Sequence, residues 1–214
     1  MKLFAKLKKK QTPKQSFDEK KLAQVAEYQS SGRQTIKDLQ VKLLWKNYSY
    51  ITGKVWCKPL DKEIGIDLYD DDVTLEYAEK CVEAMNSMPE ELIDAICRAA
   101  KQYCLEYLDA IGAKPEDIDM TIPIDNNTPL REILKCFEIG CMTVEAPRDP
   151  TRIGYHLSGN CDWEIEHGIE IDILDDKLVY LSGFSDESPW DDHSGESWNC
   201  AAHIYDENQG EYIK

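Results

Sequence analysis

The sequence predicts an α+β fold: a mainly antiparallel sheet or sheets packed with two long central helices, plus an N-terminal helix. Three observations carry that prediction. Segments of strand texture stand in one group before and one group after a helical block, the order of a fold whose helices and strands are segregated. Within the block, Ile93, Cys97, Ala100, Cys104, Leu108 and Ile111 keep helical spacing. No Gly-rich phosphate loop and no regular βαβ alternation interrupts the order.

Ser16 ahead of Phe17, Asp18 and Glu19 reads as a helix start, with acids at the positive end of the helix dipole and Leu22, Val25 and Ala26 as the apolar stripe. This helix runs over about 17–30 and stops at Ser30-Ser31-Gly32. LQVKLLW, YSYITGKVW and KEIGIDLY are rich in β-branched and aromatic residues, and turns near Lys46-Asn47 and Lys58-Pro59-Leu60-Asp61 make them an antiparallel meander. A helix from about Thr74 to Asn86 turns Leu75, Ala78, Val82 and Met85 inward. A longer one begins after Met88, with Pro89 where its missing N–H costs nothing, and ends at Gly112. Residues 112–130, rich in Asp, Asn and Pro, form a connector, and Pro129 to Phe137 a short helix. CMTVEA, RIGYHLSGNC, GIEIDIL, KLVYLSGF and WNCAAHIY then read as strands, with a short hairpin turn at Asp175-Asp176. The organisation is a basic arm and helix at 1–38, a single α+β domain at 39–184, and an acidic, Trp-containing tail at 185–214 that packs on or extends the domain.

With 42% apolar and 31% charged residues, the 214-residue chain has the balance of a globular protein able to bury a core without a disulfide or metal staple. Its longest uncharged stretches, Ile153 to Cys161 and Ser197 to Tyr205, are nine residues, well short of the roughly 20 a membrane-spanning helix needs. The cationic start lacks the apolar run of a secretory signal, so the expected location is the cytoplasm. There the eight Cys are expected as free thiols. Trp56-Cys57-Lys58-Pro59 is not a thioredoxin-type site, because Leu60 stands where the second thiol is needed. The net charge of −16 conceals an asymmetry: residues 1–54 hold 13 Lys and Arg against 4 acids, and residues 55–214 hold 12 against 37. The acidic body repels phosphate, which disfavours nucleic acid, and complements a basic protein partner. The Lys-rich arm around Lys8, Lys9 and Lys10 is suited to touching anionic surfaces.

The run Cys161-Asp162-Trp163-Glu164-Ile165-Glu166-His167-Gly168 resembles the C/D-W-x-x-E-H-G signature of an uncharacterised family of bacterial domains, in which an apolar strand, a turn and a further strand follow. Trp45 through Trp56, and the Tyr-containing run from Gln102-Tyr103 to Tyr107, are similar to that family's N-terminal half. The resemblance covers roughly residues 39–184. It implies a small α+β domain of unknown function with no established enzymatic activity, of a kind found in bacterial interaction and toxin-immunity settings.

His156, His167, His193 and His203 all lie in the last 59 residues. Cys161, His167, Cys200 and His203 supply the N and S donors zinc takes, but at looser spacing than paired structural sites, and no cofactor is expected. Glu166 and His167 are the candidates for acid–base work. No nucleophile motif or orienting acid accompanies them, so the expectation is a turn in which Gly168 supplies the backbone freedom and Trp163 anchors the core. The stretch from Asp186 to Trp198 lacks the ligand ladder of an EF-hand. Its Asp186, Glu187, Trp190, Asp191, Asp192, Glu196 and Trp198 are candidate partner-binding residues, aromatic anchors among steering acids, unless both Trp pack back on the sheet. The expected function is a non-enzymatic interaction protein of the immunity or inhibitor type that binds a basic partner. The alternative is a metal-binding protein or hydrolase-like enzyme centred on His167 with Cys161, Cys200 and His203.

Overall fold

The computed structural model describes residues 18–45, 48–193, 195–202, 204–206 and 211–212. The Lys-rich start, Ser16, Lys46-Asn47 and His203 therefore lie outside the described residues. Asp18 caps the first helix, its carboxylate accepting the Lys20 N–H at 2.9 Å, so α1 (Glu19–Ser30) starts two residues later than the sequence suggests. The strands β1 (Lys37–Trp45), β2 (Tyr48–Cys57) and β3 (Lys62–Leu68) form the expected antiparallel meander. Then come α2 (Leu75–Asn86), whose cap Thr74 accepts the Tyr77 N–H at 3.1 Å, and α3 (Glu90–Ile111), closed by Gly112 in the left-handed region at φ 67°.

Only α3, with 22 residues, is long; α2 has 12, the same as α1, so the two long central helices reduce to one. Pro89 is the cap of α3 rather than its first residue. The buried face of α3 is also broader than one stripe: Leu92, Ala95, Ala99 and Tyr103 join Cys97, Ala100, Cys104 and Leu108, whereas Ile111 in the last turn is exposed. The short helix expected at 129–137 is a 3-10 segment, Leu130–Lys135, because Phe137 already belongs to β4 (Phe137–Thr143). The strands β5 (Gly154–Cys161), β6 (Ile169–Leu174) and β7 (Lys177–Ser182) follow, and Asp175 and Asp176 both take positive φ, 51° and 59°, as a two-residue hairpin turn demands. The stretch 198–205, expected as a strand, is mostly turns, ending in a two-residue β8 (Tyr205–Asp206) that pairs with β9 (Glu211–Tyr212). It seals the edge of β7 instead: Asn199 Nδ2 donates to the Val179 carbonyl at 2.9 Å and the Cys200 N–H to that of Leu181 at 3.0 Å.

The two meanders merge into one seven-stranded sheet in sequence order, because β3 and β4 pair in parallel and the helices form the crossover between them. The remaining pairs are antiparallel. Strand alternation splits the sheet into two faces. Ile64, Ile66 and Leu68, Tyr155 and Leu157, and Ile169, Ile171 and Ile173 join the helical side chains in one core. The eight thiols are free, and all but Cys141 are buried. No helix among the described residues is long and apolar enough to cross a membrane.

Candidate functional site

On the face away from that core, strand register aligns polar side chains in two rows. Asp67, Thr143, His156, Asp172 and Tyr180 are successive cross-strand partners on β3 to β7; Cys141, Ser158, Glu170 and Ser182 form the adjacent row. Such a face is ordinarily wet, yet Glu170 and Asp172 are 0% exposed, because residues 183–193 cross over them. The cover is held by the buried acids themselves. Glu170 accepts the backbone N–H groups of Ser185, Asp186 and Glu187 at 2.6, 3.1 and 2.7 Å. The Ser188 hydroxyl donates to Glu145, the Tyr180 and Ser185 hydroxyls meet at 2.9 Å, and His193 Nε2 lies 2.9 Å from the Ser188 carbonyl oxygen.

His156 sits at the centre, with Nδ1 2.9 Å from Asp172 Oδ1 and 3.4 Å from Glu170 Oε1. Burial pushes the carboxyls of Glu145, Glu170 and Asp172 above their ordinary range. Burial presses the imidazole toward neutrality, but Asp172, Glu170 and Glu145 together outweigh it and leave His156 raised. Raised acids and a raised base compete for the same protons. The direction that governs is that of His156, since three carboxyl groups face one imidazole and Glu170 keeps three N–H donors that favour its charged form.

Beside His156 the face opens into a cavity of about 560 Å³. Asp67, Thr143 and Ser158 share its floor with His156, Asp70, Glu145, Asp186 and Glu187 add acid, and Leu44, Tyr48 and Phe184 form a solvent-exposed apolar edge. Among the described residues no Lys or Arg lines it. A second hollow of about 500 Å³, between α1 and residues 71–76, has its two cations already paired, Lys20 with Asp72 at 3.3 Å and Arg33 with Glu79 at 3.0 Å.

The residues singled out from sequence fall in three places. Glu164 to Gly168 is a turn: buried Glu164 accepts the Glu166 and His167 N–H groups at 2.9 and 3.3 Å and bonds His167 Nδ1. Gly168 has φ 64°, and a Cβ on it would stand 2.1 Å from the Gly159 carbonyl oxygen. Trp163 is buried edge-on against Tyr103 and Phe137, at centroid distances of 5.5 and 6.4 Å, while Glu166 and His167 are exposed. Cys161 donates to the Glu164 and Gly168 carbonyls at 3.3 Å, and Cys200 to the Glu106 carboxylate at 3.6 Å. Burial pushes both thiols up to about 12. With His167 they do not form a group whose ligand atoms lie within 4.8 Å of one another, and His203 is outside the described residues.

In the tail the two Trp diverge. Trp190 packs over Gly154, its ring 2.7 Å from where a Cβ there would stand, whereas Trp198 is 57% exposed beside Glu106 and Asp109. Asp186 and Glu187 reach the cavity, Asp191 pairs with Arg148, Glu196 lies 3.2 Å from His193 Nδ1, and Asp192 is exposed. Sequence reasoning missed His156, Glu145, Glu170 and Asp172. The one signal for them is the alternation Ile169-Glu170-Ile171-Asp172-Ile173, which places the acids on one face but not the loop that buries them.

The profile of a domain of unknown function (DUF6985) matches residues 35–188, most of the chain, and the chain belongs to that family. The matched span contains the whole of the expected 39–184. No curated protein and no solved structure matches the chain.

Proposed function

We propose that this member of the DUF6985 family is a non-enzymatic interaction protein, of the immunity or inhibitor type, whose acidic cavity receives a basic side chain from a protein partner. The observation that carries the reading is a cavity lined by Asp67, Asp70, Glu145, Asp186 and Glu187, with no Lys or Arg among the described residues that line it. A guanidinium satisfies such carboxylates with bidentate, charge-assisted hydrogen bonds. Its aliphatic stem fits against the apolar edge of Leu44, Tyr48 and Phe184, where a long cationic side chain buries its methylenes and keeps its head polar. The surplus of 37 acids over 12 bases in residues 55–214 draws in a basic partner and rejects acidic ones.

The test is titration of the full chain with an arginine-rich peptide by calorimetry at low and high salt. Neutralising Asp67 and Glu187 together (Asp67→Asn with Glu187→Gln) is expected to weaken binding about tenfold or more, as loss of close charge pairs does. Neutralising the exposed helical acids Glu83 and Glu91 to Gln is expected to change it less than twofold. Equal weakening by both pairs would mean diffuse attraction and defeat the reading.

A further inference from the structure

We propose that His156, Glu170 and Asp172 form a binding site for one divalent transition-metal ion, such as Zn²⁺, beneath the acidic cavity. One nitrogen or oxygen from each of the three lies within 4.8 Å of the others, and all three residues are buried. His156 Nδ1 is 2.9 Å from Asp172 Oδ1 and 3.4 Å from Glu170 Oε1, so both carboxylates approach the same ring nitrogen. A second observation points to a missing partner. Asp172 is 0% exposed, and its other oxygen, Oδ2, meets no hydrogen-bond donor among the described residues, standing 3.9 Å from His193 Nε2. A buried carboxylate oxygen without a donor is costly, and a coordinated cation removes the cost. One imidazole with two carboxylates is a donor set for Zn²⁺ or similar ions, which take N and O ligands at about 2.0–2.2 Å. Three backbone N–H groups already orient Glu170. His156 also faces the cavity, which gives an ion its way in. On binding, the ion takes the place of the proton shared on Nδ1, which leaves to solvent.

The experiment uses the full chain, stripped with chelator and dialysed into metal-free buffer, titrated with Zn²⁺ by calorimetry and with Co²⁺ by visible absorption and amide NMR. The site predicts one equivalent bound, a Co²⁺ spectrum without a sulfur-to-metal charge-transfer band, and paramagnetic shifts concentrated at residues 156, 170, 172 and 185–187. His156→Gln and Asp172→Asn are expected to weaken Zn²⁺ at least 100-fold, and His167→Ala less than twofold. Should either variant fail to fold, the Co²⁺ shifts on the unaltered chain decide alone. No stoichiometric binding, a thiolate band, or shifts centred elsewhere would overturn the proposal. Because these readouts need no protein partner, they fail or succeed independently of the docking reading.

Discussion

Glu164 illustrates how much a single buried acid can organise. Burial alone would raise its pKa, but the Glu166 N–H, the His167 ring and the His167 N–H outweigh burial and hold it below the ordinary glutamate value. A carboxyl whose folded pKa lies below its unfolded one contributes stability that is full above the unfolded value, about 4.3, and is lost as pH falls through the folded value. Glu164→Gln is therefore expected to flatten the acid limb of a stability-against-pH curve and to cost about 1–2 kcal/mol at neutral pH, by denaturant titration. Glycines give a sharper contrast. A Cβ at Gly159 would stand 1.8 Å from the Glu138 carbonyl oxygen, while at Gly140 nothing lies within 4 Å. Gly159→Ala should cost about 3 kcal/mol and Gly140→Ala well under about 1, by the same titration. The turn at Gly168 was legible in the sequence because Gly168 supplies backbone freedom and no nucleophile motif accompanies Glu166 and His167. His156 and Asp172 were not, since Ile-Glu-Ile-Asp-Ile reads as an ordinary strand with wet acids.

Elements were legible where their own residues decide them. Thr74, Gly112 and the spacing from Cys97 to Leu108 mark α2 and α3 without help from the rest of the chain. The parallel β3–β4 pairing was not legible, because it joins strands separated by both helices and leaves no local trace. The docking of α1 is another non-local feature. Lys21 is 3% exposed; its ammonium donates to the carbonyls of Ser49 and Tyr69, the latter at 3.2 Å, and pairs with Asp71 at 2.7 Å. From sequence it is one cation in a basic segment. Lys21→Ala removes the ammonium from the Ser49 carbonyl, while the Tyr69 carbonyl keeps the Tyr48 hydroxyl at 3.0 Å, and it is expected to cost about 1–2 kcal/mol, little of it from Asp71, which is largely exposed. Asp176, held at φ 59° in the β6–β7 turn, argues the opposite way. Asp176→Gly relieves a left-handed aspartate and should raise stability by about 0.5–1 kcal/mol, a rise of about 1–4 °C by thermal denaturation for a chain of this size.

At the scale of the molecule, the surplus of acid read from composition is not spread evenly. Register lays polar residues in rows across one face, the loop from 183 to 193 buries half of them, and the other half opens into a cavity where five acids and His156 stand without a Lys or Arg among the described residues. The proposed partner's charge is argued from composition and its proposed place from the cavity, which only Asp186 and Glu187 of the tail residues chosen from sequence reach. Trp198 stays exposed at another point, while Trp190 is spent on packing against Gly154. The most direct test of the central claim is an amide NMR titration of the full chain with an arginine-rich peptide. Docking in the cavity gives saturable shifts at Asp67, Thr143, Ser158 and residues 184–187, lost in the Asp67→Asn, Glu187→Gln double variant. Shifts scattered over the acidic surface, or centred on Trp198 with the cavity silent, would contradict it.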